Sequence, residues 1–135
     1  PLLGRILEPL LGRWTVRVVA PTAFWDRSCI TEEVLDEYSL ALRTAEGRHA
    51  LAENIRRCLS PDLAGTIARY QGLAARVLFI RGEHDGVVDD SSAERFCRAV
   101  PCGRFLRLQD CGHVPQEEKP EAVRTAIAEF LSAPA

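Results

Sequence analysis

Val77-Leu78-Phe79-Ile80-Arg81-Gly82-Glu83-His84-Asp85 is a short, continuous apolar run that passes through a glycine to an acid. Four apolar residues in a row, without alternation, predict a parallel strand covered on both faces. A second run, Phe105-Leu106-Arg107-Leu108, leads into Asp110-Cys111-Gly112-His113-Val114-Pro115-Gln116-Glu117-Glu118-Lys119-Pro120. Between the two runs, Ser91-x-x-Glu94 reads as a capping box that opens a helix running to Val100, and Pro101-Cys102-Gly103 ends it. A helix started by Pro120 and running through Leu131 completes a β-α-β-α order, so the class is α/β.

A crossover helix of this kind puts consecutive parallel strands side by side, roughly 4.8 Å apart. Ligands and reacting groups in open α/β sheets collect beyond the carboxyl ends of the strands. Asp85 and His113 both stand there, 28 positions apart in sequence. A carboxylate that accepts from one imidazole nitrogen fixes the tautomer and stabilises the imidazolium formed when the other nitrogen takes a proton. His113 is therefore the candidate general base and Asp85 the group that orients it. Taken singly, an Asp after a strand is a turn former and a His beside Gly a loop residue; the chemical reading rests on finding both at matching strand ends.

The residues before Ala74 read as helices only. Leu2, Leu3, Ile6, Leu7, Leu10 and Leu11 recur at helical spacing despite Pro9. Thr31 can cap a second helix with Glu32 and Glu33 in its first turn, where negative charge is favourable. A third is expected from about Arg48 to Leu59, and Ser60-Pro61-Asp62 starts a fourth that Gly72 can end. Ala20-Pro21-Thr22-Ala23-Phe24-Trp25-Asp26 reads as a bulky, turn-rich link. The predicted division is a helical segment 1-74 and a β-α segment 75-135.

Bulk properties narrow the function. The 135 residues are 47% hydrophobic and 27% charged, as in ordinary globular domains, with a formal net charge of −2. Scattered basic residues give no reason to expect a nucleic-acid partner. No apolar run approaches the roughly 20 residues that span a bilayer, and no secretory signal is visible, so a cytoplasmic location and no membrane partner are expected. Oligomeric state is not legible.

Cys29, Cys58, Cys97, Cys102 and Cys111 form an odd set without a C-x-x-C pair or zinc spacing, and read as reduced, small hydrophobes. Cys111, two residues before His113, is the one with an alternative role as a nucleophile. His84, Asp85, Asp89, Asp90, His113 and Glu117 lack paired ligand spacing, so no metal and no cofactor is expected.

On Val77 to Asp85 and on Gly112-His113-Val114-Pro115-Gln116-Glu117-Glu118-Lys119-Pro120-Glu121, the chain resembles the α/β-hydrolase fold family. The similarity is to its lidded branch of esterases, lipases, carbon–carbon bond hydrolases, epoxide hydrolases and haloalkane dehalogenases. The resemblance implies the penultimate strand with its acid, the histidine loop and the last helix of that fold, with 1-74 as the helical lid. It implies a nucleophile-His-acid triad acting on a small-molecule ester or related substrate. Family order is nucleophile, acid, histidine, yet no G-x-S-x-G occurs; Ser28, Ser39, Ser60, Ser91, Ser92 and Ser132 stand in helix, turn or tail contexts. The nucleophile and the missing N-terminal part of the same chain are expected upstream of Pro1; the alternative is a non-catalytic, hydrolase-like binding module.

Phe24 and Trp25 can line a substrate entrance, or simply pack; Val87 and Val114, beside the two polar residues, can wall a pocket or be ordinary core. Tyr38 and Tyr70 invite comparison with the lid tyrosines of epoxide hydrolases, and fit a helix face equally well.

Two strands alone cannot make an independent parallel sheet. Each backbone group left unpaired along a buried edge costs about 1–3 kcal/mol. The 135-residue chain on its own is therefore expected to melt without cooperativity; a sharp calorimetric transition from the isolated chain would overturn this.

Overall fold

The structure, a computed structural model, describes residues 11–58, 63–101 and 103–134. The apolar stripe from Leu2 to Leu10 and the start signal Ser60-Pro61-Asp62 lie outside the described residues. The chain divides into two compact units, one holding the described residues up to Pro21 and those from Ile30 to Cys58, the other holding Thr22–Cys29 and everything from Leu63 on.

Helix α1 spans Arg13–Ala23, with its residues up to Pro21 in the first unit; also in that unit, α2 spans Glu32–Ser39, a 3-10 turn covers Leu40–Arg43, and α3 spans Ala45–Cys58. Thr31 caps α2: its hydroxyl accepts from the Val34 N–H, as its position before two acids predicts. Helix α3 begins three residues before the expected Arg48, because the Thr44 hydroxyl accepts from Gly47 N–H and supplies a cap that a glycine in the first turn had obscured.

Helix α1 is a correction. The residue pattern predicts a link from Ala20, but the helix continues to Ala23 with Pro21 inside its last turn. A proline there removes only one late hydrogen bond. Arg13 and Arg17, one turn apart, pair with Glu32, and Arg13 also reaches Asp36 at 2.5 Å. Being exposed, these pairs contribute little individually. They nevertheless set two helices against each other through partners that propensity does not see. Leu35 and Leu42 are this unit's most enclosed apolar side chains.

In the second unit, α4 spans Leu63–Tyr70, β1 Val77–Gly82, α5 Asp90–Ala99, β2 Gly103–Leu108, α6 Pro115–Glu118 and α7 Pro120–Ser132. Strands β1 and β2 pair in parallel, from Val77 opposite Gly103 to Gly82 opposite Leu108. The cap of α5 is Asp89, not Ser91. A carboxylate accepts more strongly than a hydroxyl: Asp89 takes the Ser92 N–H at 2.9 Å and both serine hydroxyls at 2.6 Å. The Ser91 and Ser92 hydroxyls hold the Asp89 carboxyl far below the usual carboxylate range.

Pro120 starts α7, and Arg76, just before β1, ties that helix down: it donates to the Ala133 carbonyl at 2.6 Å and lies 5.0 Å from the Phe130 ring centre. Val77 and Phe79 of β1, with Tyr70, Leu73, Phe96 and Val100, line an apolar hollow of about 420 Å³. It lies toward the amino end of the strand. Residues Val77 to Ile80 are only partly covered, whereas Arg81 and Gly82 at the carboxyl end are buried.

Candidate active site

Beyond Gly82 and Leu108 the ladder does not stop. Glu83 N–H donates to the Leu108 carbonyl and His84 N–H to that of Cys111, each at 2.8 Å, stitching the acid loop to the histidine loop. Asp110 supplies the bend, with φ 49°, a left-handed conformation that Asp tolerates better than most residues. Two glycines allow the loops to touch. A Cβ on Gly82 would lie 2.0 Å from the Gly112 carbonyl oxygen, and one on Gly112 would lie 2.4 Å from that of Ala23. Side chains at either position would force the backbones apart.

This stitching brings Asp85 and His113 together: His113 Nδ1 lies 3.0 Å from Asp85 Oδ2. The other carboxylate oxygen accepts from Val87 N–H at 2.8 Å and Val88 N–H at 2.9 Å. Burial pushes the Asp85 carboxyl up, but the hydrogen bonds from His113, Val88 and Val87 outweigh it and hold the group below its ordinary value. The carboxylate side chain is 6% exposed and the imidazole 38%. An ionised, enclosed acid thus meets an imidazole that solvent or a reactant can reach. With Nδ1 engaged, Nε2 is the nitrogen available for proton transfer.

The other candidates separate. Val114 and Phe24 are buried, Val87 and Trp25 half-exposed. Val87 meets Asp85 through its backbone. The Trp25 indole stacks on the His84 ring, centroids 3.6 Å apart and planes 18° apart, one residue from the acid. Tyr38, in α2, belongs to the other unit, and Tyr70 packs edge-on to Phe96.

Cys111 is fully buried, and burial together with the nearby Glu118 charge pushes its thiol up to about 11. A protonated, enclosed thiol is no nucleophile. Cys29, Cys97 and Cys111 are unbridged. Among the described residues, no group of three or more His, Cys, Asp or Glu side chains could hold a metal ion. No described helix is long and apolar enough to cross a membrane.

Two residues escaped the sequence reading. Arg81 is buried although charged; it donates to the carbonyls of Gly82, Asp85 and Val88 and to the Asp90 carboxylate, spanning the whole acid loop. Glu118 accepts from the backbone of Gly112, Trp25 and Asp26. An arginine directly after four apolar residues, still within the strand, is the available signal for the first. Nothing local marked the second, because its partners lie up to 93 residues away.

The sequence profile of the alpha/beta hydrolase fold family matches residues 17–120. The chain belongs to that family. BpoC of Mycobacterium tuberculosis, which provisionally bears the name non-heme bromoperoxidase, is 38% identical over 63 residues, covering 47% of this chain and 24% of BpoC. A thermophilic esterase from Thermogutta terrifontis superimposes with a TM-score of 0.72 at 21% identity, over 95% of this chain and 46% of the esterase. The meta-cleavage product hydrolase CumD from Pseudomonas fluorescens gives 0.67 at 20% identity, over 89% and 45%. At these identities the two structures speak to fold alone. This chain spans about half the length of those structures.

Proposed function

We propose that this chain is the lid and the last two β-α units of a hydrolase that acts on a small ester or related substrate. His113 is the general base and then the general acid, and Asp85 orients it. The nucleophile, a serine by preference over an aspartate, and the oxyanion hole come from a part of the protein preceding Pro1. In the reaction, the nucleophile's hydroxyl proton passes to His113 Nε2 as the oxygen attacks the substrate carbonyl. The imidazolium then protonates the leaving group; water, deprotonated by the same nitrogen, attacks the acyl carbonyl, and the imidazolium so formed returns its proton to the nucleophile's oxygen as the acid departs. Residues 1-74 serve as the lid, and Phe24, Trp25, Val87 and Val114 contact substrate.

One observation carries the reading: an enclosed carboxylate 3.0 Å from an accessible imidazole, at the carboxyl ends of neighbouring parallel strands. Membership of the alpha/beta hydrolase fold family supports it. The full-length protein is expected to react with a fluorophosphonate probe, and His113→Ala to abolish that labelling. No labelling of a folded, full-length protein that carries a serine at the nucleophile position would favour a binding module without turnover.

A further inference from the structure

We propose that Glu118 is a positioning residue for His113, a single carboxylate that holds the histidine loop and the Trp25 turn as one piece. This rests on His113 acting as the proton-transfer group. Glu118 ends the short helix α6, which begins two residues after His113. Its Oε1 accepts from Gly112 N–H at 2.7 Å, and its Oε2 accepts from Trp25 N–H at 2.9 Å and Asp26 N–H at 2.7 Å. His113 N–H itself donates to the Ala23 carbonyl at 2.7 Å.

Two successive amides, Gly112 and His113, are therefore anchored to the same four-residue stretch, one directly and one through Glu118. The fit is close: a Cβ on Gly112 would lie 2.7 Å from Trp25 N and 2.8 Å from Glu118 Oε1. The acid loop joins the same anchorage through the His84 ring stacked on Trp25 and through His84 N–H on the Cys111 carbonyl. Glu118 is thus the post to which both sides of the Asp85–His113 contact are tied. It touches neither of those two side chains, so its effect must pass through the backbone that carries them.

No neutral side chain reproduces this. A carboxylate presents acceptors in every direction, and its charge strengthens each bond. Glutamine at 118 keeps the shape but turns an NH₂ toward at least one N–H donor. Alanine leaves all three amides without their acceptor and lets the His113 imidazole drift from Asp85.

The test uses full-length protein, with Glu118→Ala and Glu118→Gln, and reads two signals. The first is the downfield proton resonance of His113 Nδ1–H in its bond to Asp85, assigned by its loss in Asp85→Asn and independent of any turnover. The second is steady-state hydrolysis of p-nitrophenyl acetate. Glu118→Ala is expected to broaden or abolish the resonance and to lower kcat about a hundredfold, the cost of misplacing a catalytic group by about 1 Å, with KM little changed; Glu118→Gln should fall between it and the native protein. Should Glu118→Ala not fold, the Gln variant alone carries the test. A native resonance in a folded Glu118 variant overturns the proposal whatever the activity. A lost resonance in a protein that never hydrolyses esters leaves the positioning role standing and removes the hydrolase reading instead.

Discussion

Asp85→Asn in the full-length protein should lower turnover about 10⁴-fold with the fold intact. The amide oxygen can still accept from Val87 and Val88 N–H, which keeps the turn. Its NH₂ then faces His113 Nδ1 and makes that nitrogen the acceptor. The imidazole proton moves to Nε2, the nitrogen that in the proposed reaction receives one from the nucleophile. His113→Ala removes the proposed base and should cost at least about a thousandfold, leaving the catalysis that binding and the proposed oxyanion hole supply. Steady-state kinetics with circular dichroism as a fold control decides both; activity within about tenfold of wild type removes that residue from the mechanism. Stability should follow the same carboxylate. Because the Asp85 carboxyl is held below its ordinary value of 3.8 in the fold, its contribution is complete above that value and is lost as pH falls through the folded one. Wild type and Asp85→Asn should therefore converge in stability as the solution is acidified.

Arg81→Met is expected to cost about 3 kcal/mol, although methionine suits a strand end better by hydropathy. Every N–H of the guanidinium is engaged: Nε and Nη2 donate to the Val88 carbonyl, Nη2 also to Asp85, and Nη1 to Gly82 and the Asp90 carboxylate. Methionine fills the space and satisfies none of these acceptors. Each one left unpaired away from water costs about 1–3 kcal/mol, while Asp90, half-exposed and also paired with Arg107 at 3.1 Å, is partly rehydrated and adds less. A fall in melting temperature of roughly 10 °C is the expected reading. The acid loop should loosen with it, so turnover drops as well. A melting temperature within about 2 °C of wild type would show that the loop holds itself and that Arg81 is incidental.

The second strand, the helix after Pro120 and the Thr31 cap were legible because each depends on neighbours in sequence: an apolar run, a ring that fixes φ, a hydroxyl one residue before two acids. Helix α1 was not, since Thr15, Val16, Val18, Val19 and Pro21 argue against a helix, and the ion pairs of Arg13 and Arg17 with α2 come from a segment 15 to 23 residues on. Asp89 was missed as a cap because Ser91-x-x-Glu94 fits the same pattern two residues later, and only the bond lengths show which side chain holds the amide. The Asp85–His113 pair could be inferred from matching strand ends, yet what keeps it together could not.

Sequence by itself determined the class, the two parallel strands and the two polar residues at their ends, because strand period, proline and glycine act locally. Tertiary structure alone decided the supports: Arg81 beneath the acid loop, Glu118 between the histidine loop and the Trp25 turn, and the buried, protonated state of Cys111. The physical reason is that a hydrogen bond or a desolvated charge depends on which groups meet across space, and residues 93 positions apart carry no mark of their meeting.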